Sequence, residues 1–152
     1  MRVNPSNTVT RAWARLVKAQ QLAQAAIESR LKAAQLPPLA WYDALLELER
    51  AGACGLRPFE LERELLLSQC NLSRLIDRLE KEGYVERRAC LDDGRGQVVV
   101  ITGAGKAIRR RMWTVYGPAI QSAVGAHLAP RQAAALDEML GALVAGSRHG
   151  QR

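Results

Sequence analysis

The sequence predicts a mainly α-helical protein with one small β-hairpin, organised as a winged helix-turn-helix flanked by long dimerisation helices. Three observations favour this class. Long stretches with apolar residues at helical spacing occupy both ends of the chain. A short helix, a tight turn and a well-capped helix are predicted in the middle. Two short stretches with strand-like alternation follow, joined by an Asp-Gly turn, which is a strong hairpin signal.

The first half of the chain is predicted to be helical. Residues 8–35 contain no Gly or Pro and are rich in Ala, Gln and Leu, which predicts one long helix that Pro37-Pro38 ends. A second helix is predicted over Leu39–Arg50. Pro58 suits the first turn of a short third helix, Phe59–Leu65.

The fourth helix carries the clearest signals. Ser68 is a typical N-cap and Gly83 a typical stop. Between them, apolar residues recur at i, i+3, i+4 and i+7, as expected for one buried stripe. That stripe consists of Leu72, Leu75, Ile76 and Leu79.

The pattern then changes from a period of 3.6 to a period of 2, which predicts strands over Tyr84–Leu91 and Gln97–Ile101. Helix resumes near Thr102 and extends to about His127, with a kink or break expected at Gly117-Pro118. Pro130 begins a last helix. We predict an N-terminal dimerisation helix (1–36), a winged DNA-binding domain (37–104) and C-terminal dimerisation helices (105–152).

Composition is typical of a soluble globular domain. The chain has 152 residues, of which 48% are apolar and 24% charged, enough for one domain with its own core. No apolar stretch approaches the ~20 residues that a membrane-spanning helix needs, and the first residues lack the apolar core of a signal peptide. We therefore expect a cytoplasmic protein without a membrane partner.

Motifs for metal binding and catalysis are missing from the sequence. Cys54, Cys70 and Cys90 form no CxxC pair, and neither histidine has a partner at i+4. A Gly-rich phosphate loop, GxSxG and HExxH are also absent. We therefore expect no metal, no cofactor and no enzymatic activity.

The charge balance favours an anionic partner. Lys and Arg number 22 against 15 Asp and Glu, a net charge of +7, and only four of the 22 are lysines. Arginine forks onto phosphates and guanine edges, and nucleic acid is the commonest polyanion. A basic protein without a nucleic-acid partner is the alternative interpretation.

The exposed side of the fourth helix is the predicted DNA reader, because a recognition helix meets base edges with its N-terminal residues. Asn and Gln can pair with adenine and Arg with guanine, while a capped helix start suits a phosphate. Simple capping and a solvated charged face are the alternative for the same residues. The candidates on this helix are Ser68, Gln69, Cys70, Asn71, Ser73, Arg74 and Arg78.

The predicted hairpin adds cations near its turn. Arg87 and Arg88 lie on the first strand, and Arg95 lies at or just past the tip. Narrow minor grooves attract arginine, and Asp93 could orient Arg95 through a charge-assisted hydrogen bond. We predict DNA contacts for Arg88, Asp93 and Arg95. An ordinary exposed hairpin is the alternative.

The stretch from Leu65 to Gly105 resembles the MarR family of bacterial transcriptional regulators. The resemblance rests on the order and spacing of three motifs. They are Arg74-Leu75-Ile76-Asp77-Arg78-Leu79-Glu80-Lys81-Glu82-Gly83-Tyr84-Val85-Glu86-Arg87, the wing motif Asp93-Gly94-Arg95, and Ile101-Thr102-Gly103-Ala104-Gly105.

This resemblance implies a homodimer built from the terminal helices and a palindromic double-stranded DNA operator, with repression as the usual outcome. It implies major-groove contacts for Asn71 and Arg74 and a minor-groove contact for Arg95. The chain departs from the family pattern in the turn, where Leu65-Leu66-Leu67 stands in place of a frequent glycine. That departure leaves the angle of the recognition helix open.

The family resemblance also implies a small aromatic or phenolic effector, bound between the dimer helices and the winged domain. Plain core packing of the same residues is the alternative, as is a constitutive nucleic-acid-binding or partner-binding helical adaptor without an effector. The cysteines do not match the redox-sensing positions of the family, so we expect inert thiols. The candidate pocket residues are Trp13, Leu16, Trp41, Tyr42, Leu45, Met112, Trp113 and Tyr116.

Overall fold

The structure is a computed structural model that describes residues 3–90 and 96–150. It confirms the predicted class, mainly helical with a two-stranded hairpin. In order, the elements are α1 (Asn7–Ala33), α2 (Leu39–Ala51), a 3₁₀ turn (Gly52–Cys54), α3 (Pro58–Leu65), α4 (Gln69–Lys81), β1 (Val85–Ala89), β2 (Gln97–Ile101), α5 (Gly103–Ala123), a second 3₁₀ turn (Gly125–His127) and α6 (Pro130–His149).

The chain divides into two compact units. One consists of Glu28–Tyr116, and the other combines Met1–Ile27 with Gly117–Arg152. The boundaries between the units fall inside α1 and inside α5. The three functional regions predicted from the sequence, with limits near residues 36 and 104, remain a prediction.

The unit Glu28–Tyr116 has a continuous hydrophobic core. The predicted stripe of α4 is buried, with each of its four residues at most 7% exposed. Burial of a leucine or isoleucine of this kind contributes about 1.5–3 kcal/mol. Residues of α2, α3 and both strands complete the core: Ala44, Leu45, Leu48, Leu61, Val85, Val99 and Ile101.

The two strands of the hairpin are antiparallel, and one residue outside them forms an isolated β-bridge to β2. Val85 pairs with Ile101 at one end of the ladder, and Ala89 pairs with Gln97 at the other. Leu56 adds to the outer side of β2, because its N–H and carbonyl exchange hydrogen bonds of 3.0 and 2.7 Å with Val99. The first strand was predicted over Tyr84–Leu91; the observed strand covers Val85–Ala89, and Leu91 lies outside the described residues.

The turn between α3 and α4 is made by a leucine in a glycine-like conformation. Leu66 has a φ of 54° and is 80% exposed. Its neighbours Leu65 and Leu67 pack against the core. These two contacts hold the turn in place and stabilise a left-handed conformation that costs a non-glycine residue about 1–2 kcal/mol. The helix-turn-helix therefore forms without a glycine in the turn.

Helix α5 differs from its prediction near Pro118. Of the kink or break expected at Gly117-Pro118, the break does not occur, since α5 continues to Ala123 with Pro118 inside it. An interior proline removes one intrahelical hydrogen bond and its ring crowds the preceding turn, but the turns on either side of Pro118 remain helical. The predicted extension to His127 is a separate 3₁₀ turn over Gly125–His127.

The terminal helices leave large apolar side chains in solvent. On α1 and α6, six of these side chains are between 56% and 65% exposed. The apolar spacing of the first helix predicted one continuous stripe, but its members Ile27 and Leu31 are buried, and the large exposed apolar side chains of α1 occur only in its earlier part. No helix in the described ranges is long and apolar enough to cross a membrane. The six exposed residues are Val9, Trp13, Leu22, Met139, Leu143 and Val144.

Candidate nucleic-acid interface

Helix α4 is positioned by its cap, its buried stripe and its stop. The Ser68 hydroxyl accepts a hydrogen bond of 3.3 Å from the backbone N–H of Asn71, as the sequence predicted for an N-cap. Gly83 follows the helix with a φ of 76°, a conformation that favours glycine. Because one face of α4 is anchored in the core, the opposite face is held rigidly towards solvent.

The predicted DNA-contacting residues of α4 all lie in solvent and on one element. The first turn presents polar side chains, and Arg74 lies one turn further along, on the side away from the core. None of these seven residues is buried. The set is Ser68, Gln69, Cys70, Asn71, Ser73, Arg74 and Arg78.

The hairpin candidates have different outcomes. The side chain of Arg88 is 54% exposed, and its Nε donates a hydrogen bond of 2.6 Å to Glu86 on the same strand. Asp93 and Arg95 lie outside the described residues, so their contacts stay predictions. Cys90 N–H donates to the carbonyl of Gly96 at 3.3 Å, which joins the two described ends of the hairpin.

Arg87 has an intramolecular partner on each side of its guanidinium. Sequence reasoning grouped it with Arg88 as a hairpin cation. In the structure its Nη2 donates to Asp77 and its Nη1 to Glu80, both at 2.6 Å. These hydrogen bonds, the one to Asp77 most of all, raise the pKa of Arg87. The spacing of ten and seven residues crosses from strand to helix, so no local pattern signals this contact.

Three of the predicted pocket residues form one aromatic cluster. The rings of Tyr42 and Tyr116 are 4.9 Å apart, those of Trp113 and Tyr116 are 5.6 Å apart, and both pairs meet edge to face. Tyr42 and Trp113 stack at 6.1 Å, and Trp113 remains 49% exposed. Such pairs contribute about 0.5–1.5 kcal/mol beyond their area. The cluster therefore combines a rigid apolar wall with an accessible indole.

The other pocket candidates are distributed elsewhere. Trp41 packs edge to face against Tyr84 at 6.1 Å, on the margin of the core. Leu45 and Met112 are fully buried. Trp13 and Leu16 belong to the unit formed by the chain ends. The pocket as a whole remains a prediction.

An ion pair between α2 and α5 borders the aromatic cluster. Arg109 Nε hydrogen-bonds Glu49, and its guanidinium lies 5.7 Å from the centre of the Tyr42 ring. Both charged side chains are less than a quarter exposed. The hydrogen bond from Arg109 lowers the pKa of Glu49 below its usual range. Sequence reasoning missed this pair, because 60 residues separate its members.

Asp43 has the opposite electrostatic setting. It is half-buried on α2, and burial raises its pKa, with the charges of Glu28 and Glu47 as further causes. Burial also raises the pKa of Tyr116, to which the charge of Asp43 contributes. Glu28 has a hydrogen-bond partner of its own. Both its carboxylate oxygens accept a hydrogen bond from the backbone N–H of Leu39, at 3.1 and 3.3 Å. The aromatic cluster thus has beside it a carboxyl group that gives up its proton less readily than an ordinary aspartate does.

The three cysteines are unpaired thiols in the structure. Cys54 and Cys70 are exposed, and Cys90 is half-buried. The Cys90 sulfur accepts a hydrogen bond from Arg57 at 3.5 Å. Within residues 3–90 and 96–150, no group of three or more His, Cys, Asp or Glu side chains is arranged to hold a metal ion.

A capped helix with one buried stripe, preceded by a helix and tight turn and followed by a hairpin, defines the winged helix-turn-helix class. Two sequence comparisons show which winged helix-turn-helix proteins this chain is similar to. The MarR family model matches residues 34–96. The multiple antibiotic resistance protein MarR of Escherichia coli K12 is 32% identical over 91 residues, which are 60% of this chain and 62% of that protein.

Solved structures of other proteins are similar to this structure over nearly the whole chain. Sco3205, a MarR family transcriptional regulator from Streptomyces coelicolor in complex with DNA, matches with a TM-score of 0.84 at 27% identity, covering 96% of this chain and 91% of that one. AbsC from the same organism matches with a TM-score of 0.81, covering 97% and 99%, and at 24% identity this likeness concerns the fold. The chain is thus similar to MarR family regulators, in sequence over residues 34–96 and in fold over nearly its whole length. Its matches span less than two thirds of the curated relatives' length: 62% of MarR and 43% of the E. coli regulator PrsX.

Proposed function

We propose that this protein is a transcriptional regulator that binds a palindromic operator in double-stranded DNA as a homodimer. The observation that carries the proposal is the exposed N-terminal half of α4, where Asn71 and Arg74 project from a helix whose other face is buried. Side chains held on a rigid element suit base readout in the major groove. The structural relative from Streptomyces coelicolor was solved in complex with DNA, which supports the same partner for this fold.

The dimer is proposed from the exposed apolar residues of the terminal helices. Six large apolar side chains on α1 and α6 are more than half exposed. Contiguous apolar surface on a soluble protein usually marks an interface, and a two-fold dimer is the commonest way to cover it. A two-fold pair of α4 helices would require an operator with inverted half-sites.

Footprinting on the DNA that flanks the protein's own gene tests the proposal. We expect one protected site with an inverted repeat, and light scattering at micromolar concentration should give the mass of a dimer. Arg74→Ala should weaken protection, while Arg50→Ala, which removes an exposed charge from α2, should leave it unchanged. Uniform coating of the DNA, or equal binding by both variants, would contradict sequence-specific regulation. A folded monomer would contradict the dimer.

We further propose that the protein binds an effector. It would then be a ligand-responsive repressor and not a constitutive DNA-binding adaptor. The half-exposed indole of Trp113 against Tyr42 and Tyr116 offers an aromatic ring a surface on which to stack. A ligand that binds better to a DNA-incompetent state of the dimer would release the operator.

Intrinsic fluorescence can detect this binding. A phenol or aromatic acid that stacks on Trp113 should change the emission, and Trp113→Phe should abolish the change while Trp41→Phe retains it. The same compound should release operator DNA from the wild type. A panel of phenols and aromatic acids that alters neither emission nor DNA affinity would favour the constitutive adaptor.

A further inference from the structure

The ion-pair triad of Arg87, Asp77 and Glu80 joins the hairpin to the recognition helix. Arg87 extends from β1, and its two terminal nitrogens are divided between a carboxylate near the middle of α4 and one near its end. The arginine side chain is 25% exposed, whereas those of Asp77 and Glu80 are 64% and 43% exposed. The guanidinium is therefore largely enclosed, and the two acids are the solvent-facing members.

The charges of α4 explain why this placement matters. Its sequence contains three basic residues, Arg74, Arg78 and Lys81, and two acidic ones, Asp77 and Glu80. Asp77 lies one turn after Arg74 and directly before Arg78, within the exposed part of the helix. Unpaired carboxylates at these positions would oppose the approach of a phosphate backbone, because like charges at an interface cost affinity.

We propose that Arg87 is a positioning residue for DNA binding, which neutralises Asp77 and Glu80 so that α4 presents an effectively basic face to DNA. This inference rests on the proposed function. Arg87 acts through the two carboxylates, to which both its terminal nitrogens donate. Arg74 and Arg78 remain the groups of α4 that meet the operator.

The test is a set of charge-removing variants, with operator affinity measured by fluorescence anisotropy at one salt concentration. Arg87→Gln exposes both carboxylates and should weaken binding by about tenfold or more, since the cost in each half-site is counted twice in a dimer. The variant Asp77→Asn/Glu80→Gln/Arg87→Gln also lacks the ion pairs, but it has no carboxylate left at either position whose charge Arg87 would need to neutralise. It should bind within about threefold of the wild type.

Matched controls on α2 separate this local effect from net charge. Arg50→Gln lowers the net charge by one, as Arg87→Gln does, and it too leaves a carboxylate partner, Glu47, unpaired. Glu47→Gln raises the net charge by one, as the triple variant does. Both controls should bind as the wild type does.

The operator affinity of the triple variant distinguishes shielding from direct contact. If the triple variant binds as weakly as Arg87→Gln does, Arg87 is a direct phosphate contact or a structural anchor, and the proposal is wrong. Should Arg87→Gln fail to fold, Asp77→Asn/Glu80→Gln replaces it. This variant keeps Arg87 and should bind at least as tightly as the wild type, so weaker binding would overturn the proposal. Wild type that binds no defined site would overturn the proposed function as well, whereas an Arg87→Gln variant equal to a binding wild type overturns only this inference.

Discussion

Gly105, in the first turn of α5, lies so close to Tyr84 that a Cβ atom added to the glycine would overlap the tyrosine carbonyl oxygen. The contact is held by Thr102, which bridges the two segments. Its hydroxyl donates to the carbonyl of Gly83 at 2.6 Å and accepts from the N–H of Gly105 at 3.1 Å. The helix-turn-helix and α5 thus meet through backbone atoms, with no room for a side chain.

The variant Gly105→Ala should therefore destabilise the protein, by about 1–3 kcal/mol, since the methyl group must displace backbone. Gly103→Ala is the matched control, because a Cβ at Gly103 meets nothing within 4 Å. It should leave stability unchanged or slightly improved, as alanine favours helix. Thermal unfolding of the two variants distinguishes them, and equal melting temperatures would refute the close contact.

The ion pair of Glu49 and Arg109 should contribute to stability. Arg109→Met would leave a mostly buried carboxylate without its partner, at a cost of about 1–3 kcal/mol. Arg50→Met breaks the pair with Glu47, in which the arginine side chain is 66% exposed, and should cost less than about 1 kcal/mol. Because the pKa of Glu49 is lowered, the contribution of the ion pair to the free energy of unfolding is present at neutral pH and disappears as pH falls below the ordinary value of 4.5.

Urea titrations at neutral and acidic pH measure both effects. A cost of Arg109→Met that equals that of Arg50→Met, or that persists in acid, would contradict this role.

Asp43 should behave in the opposite way. Its raised pKa means that the folded protein holds a proton more tightly than the unfolded chain, so the ionised form destabilises the fold at neutral pH. Asp43→Asn should raise the melting temperature at pH 7, and the gain should fade as pH falls through the raised pKa towards the ordinary value of 3.8. Asp137→Asn, on exposed α6, serves as the control. A variant that is less stable than wild type at pH 7 would mean that the carboxylate makes a favourable contact.

Local patterns were sufficient to predict most of the fold. The spacing of Leu72, Leu75, Ile76 and Leu79 predicted the buried face of α4, and Ser68 and Gly83 predicted its two ends, because caps and stripes act within a few residues. The exposed DNA-facing candidates follow directly, since they are the residues left over on the same helix.

Contacts between distant segments could not be predicted in this way. Arg87 looked like a hairpin cation, and its carboxylate partners became evident only once β1 lay beside α4. The pair of Glu49 and Arg109 had no sequence signal. Pro118 was expected to kink or break α5, yet the helix continues on both sides of it.

The wing prediction concerns Arg95, which lies outside the described residues. Arg95→Ala should change the free energy of unfolding by no more than about 0.5 kcal/mol, as is usual for an exposed surface change. Operator affinity should fall about tenfold, with a larger loss for A/T-rich than for G/C-rich flanks, because narrow A/T minor grooves attract arginine. Affinities of both proteins on both operators at one salt concentration test this. Equal affinity on the A/T-flanked operator would mean that the wing does not read DNA.

The most direct test of the central claim is a specificity profile of wild type and Arg74→Ala over operators that each carry one substituted base pair. If α4 reads DNA through Arg74, the wild type should lose about 1–3 kcal/mol on substitution at one pair of symmetric positions, and Arg74→Ala should be indifferent at those positions while it discriminates at the others. Arg74→Ala that weakens binding equally for every operator, or not at all, would contradict base readout by this helix.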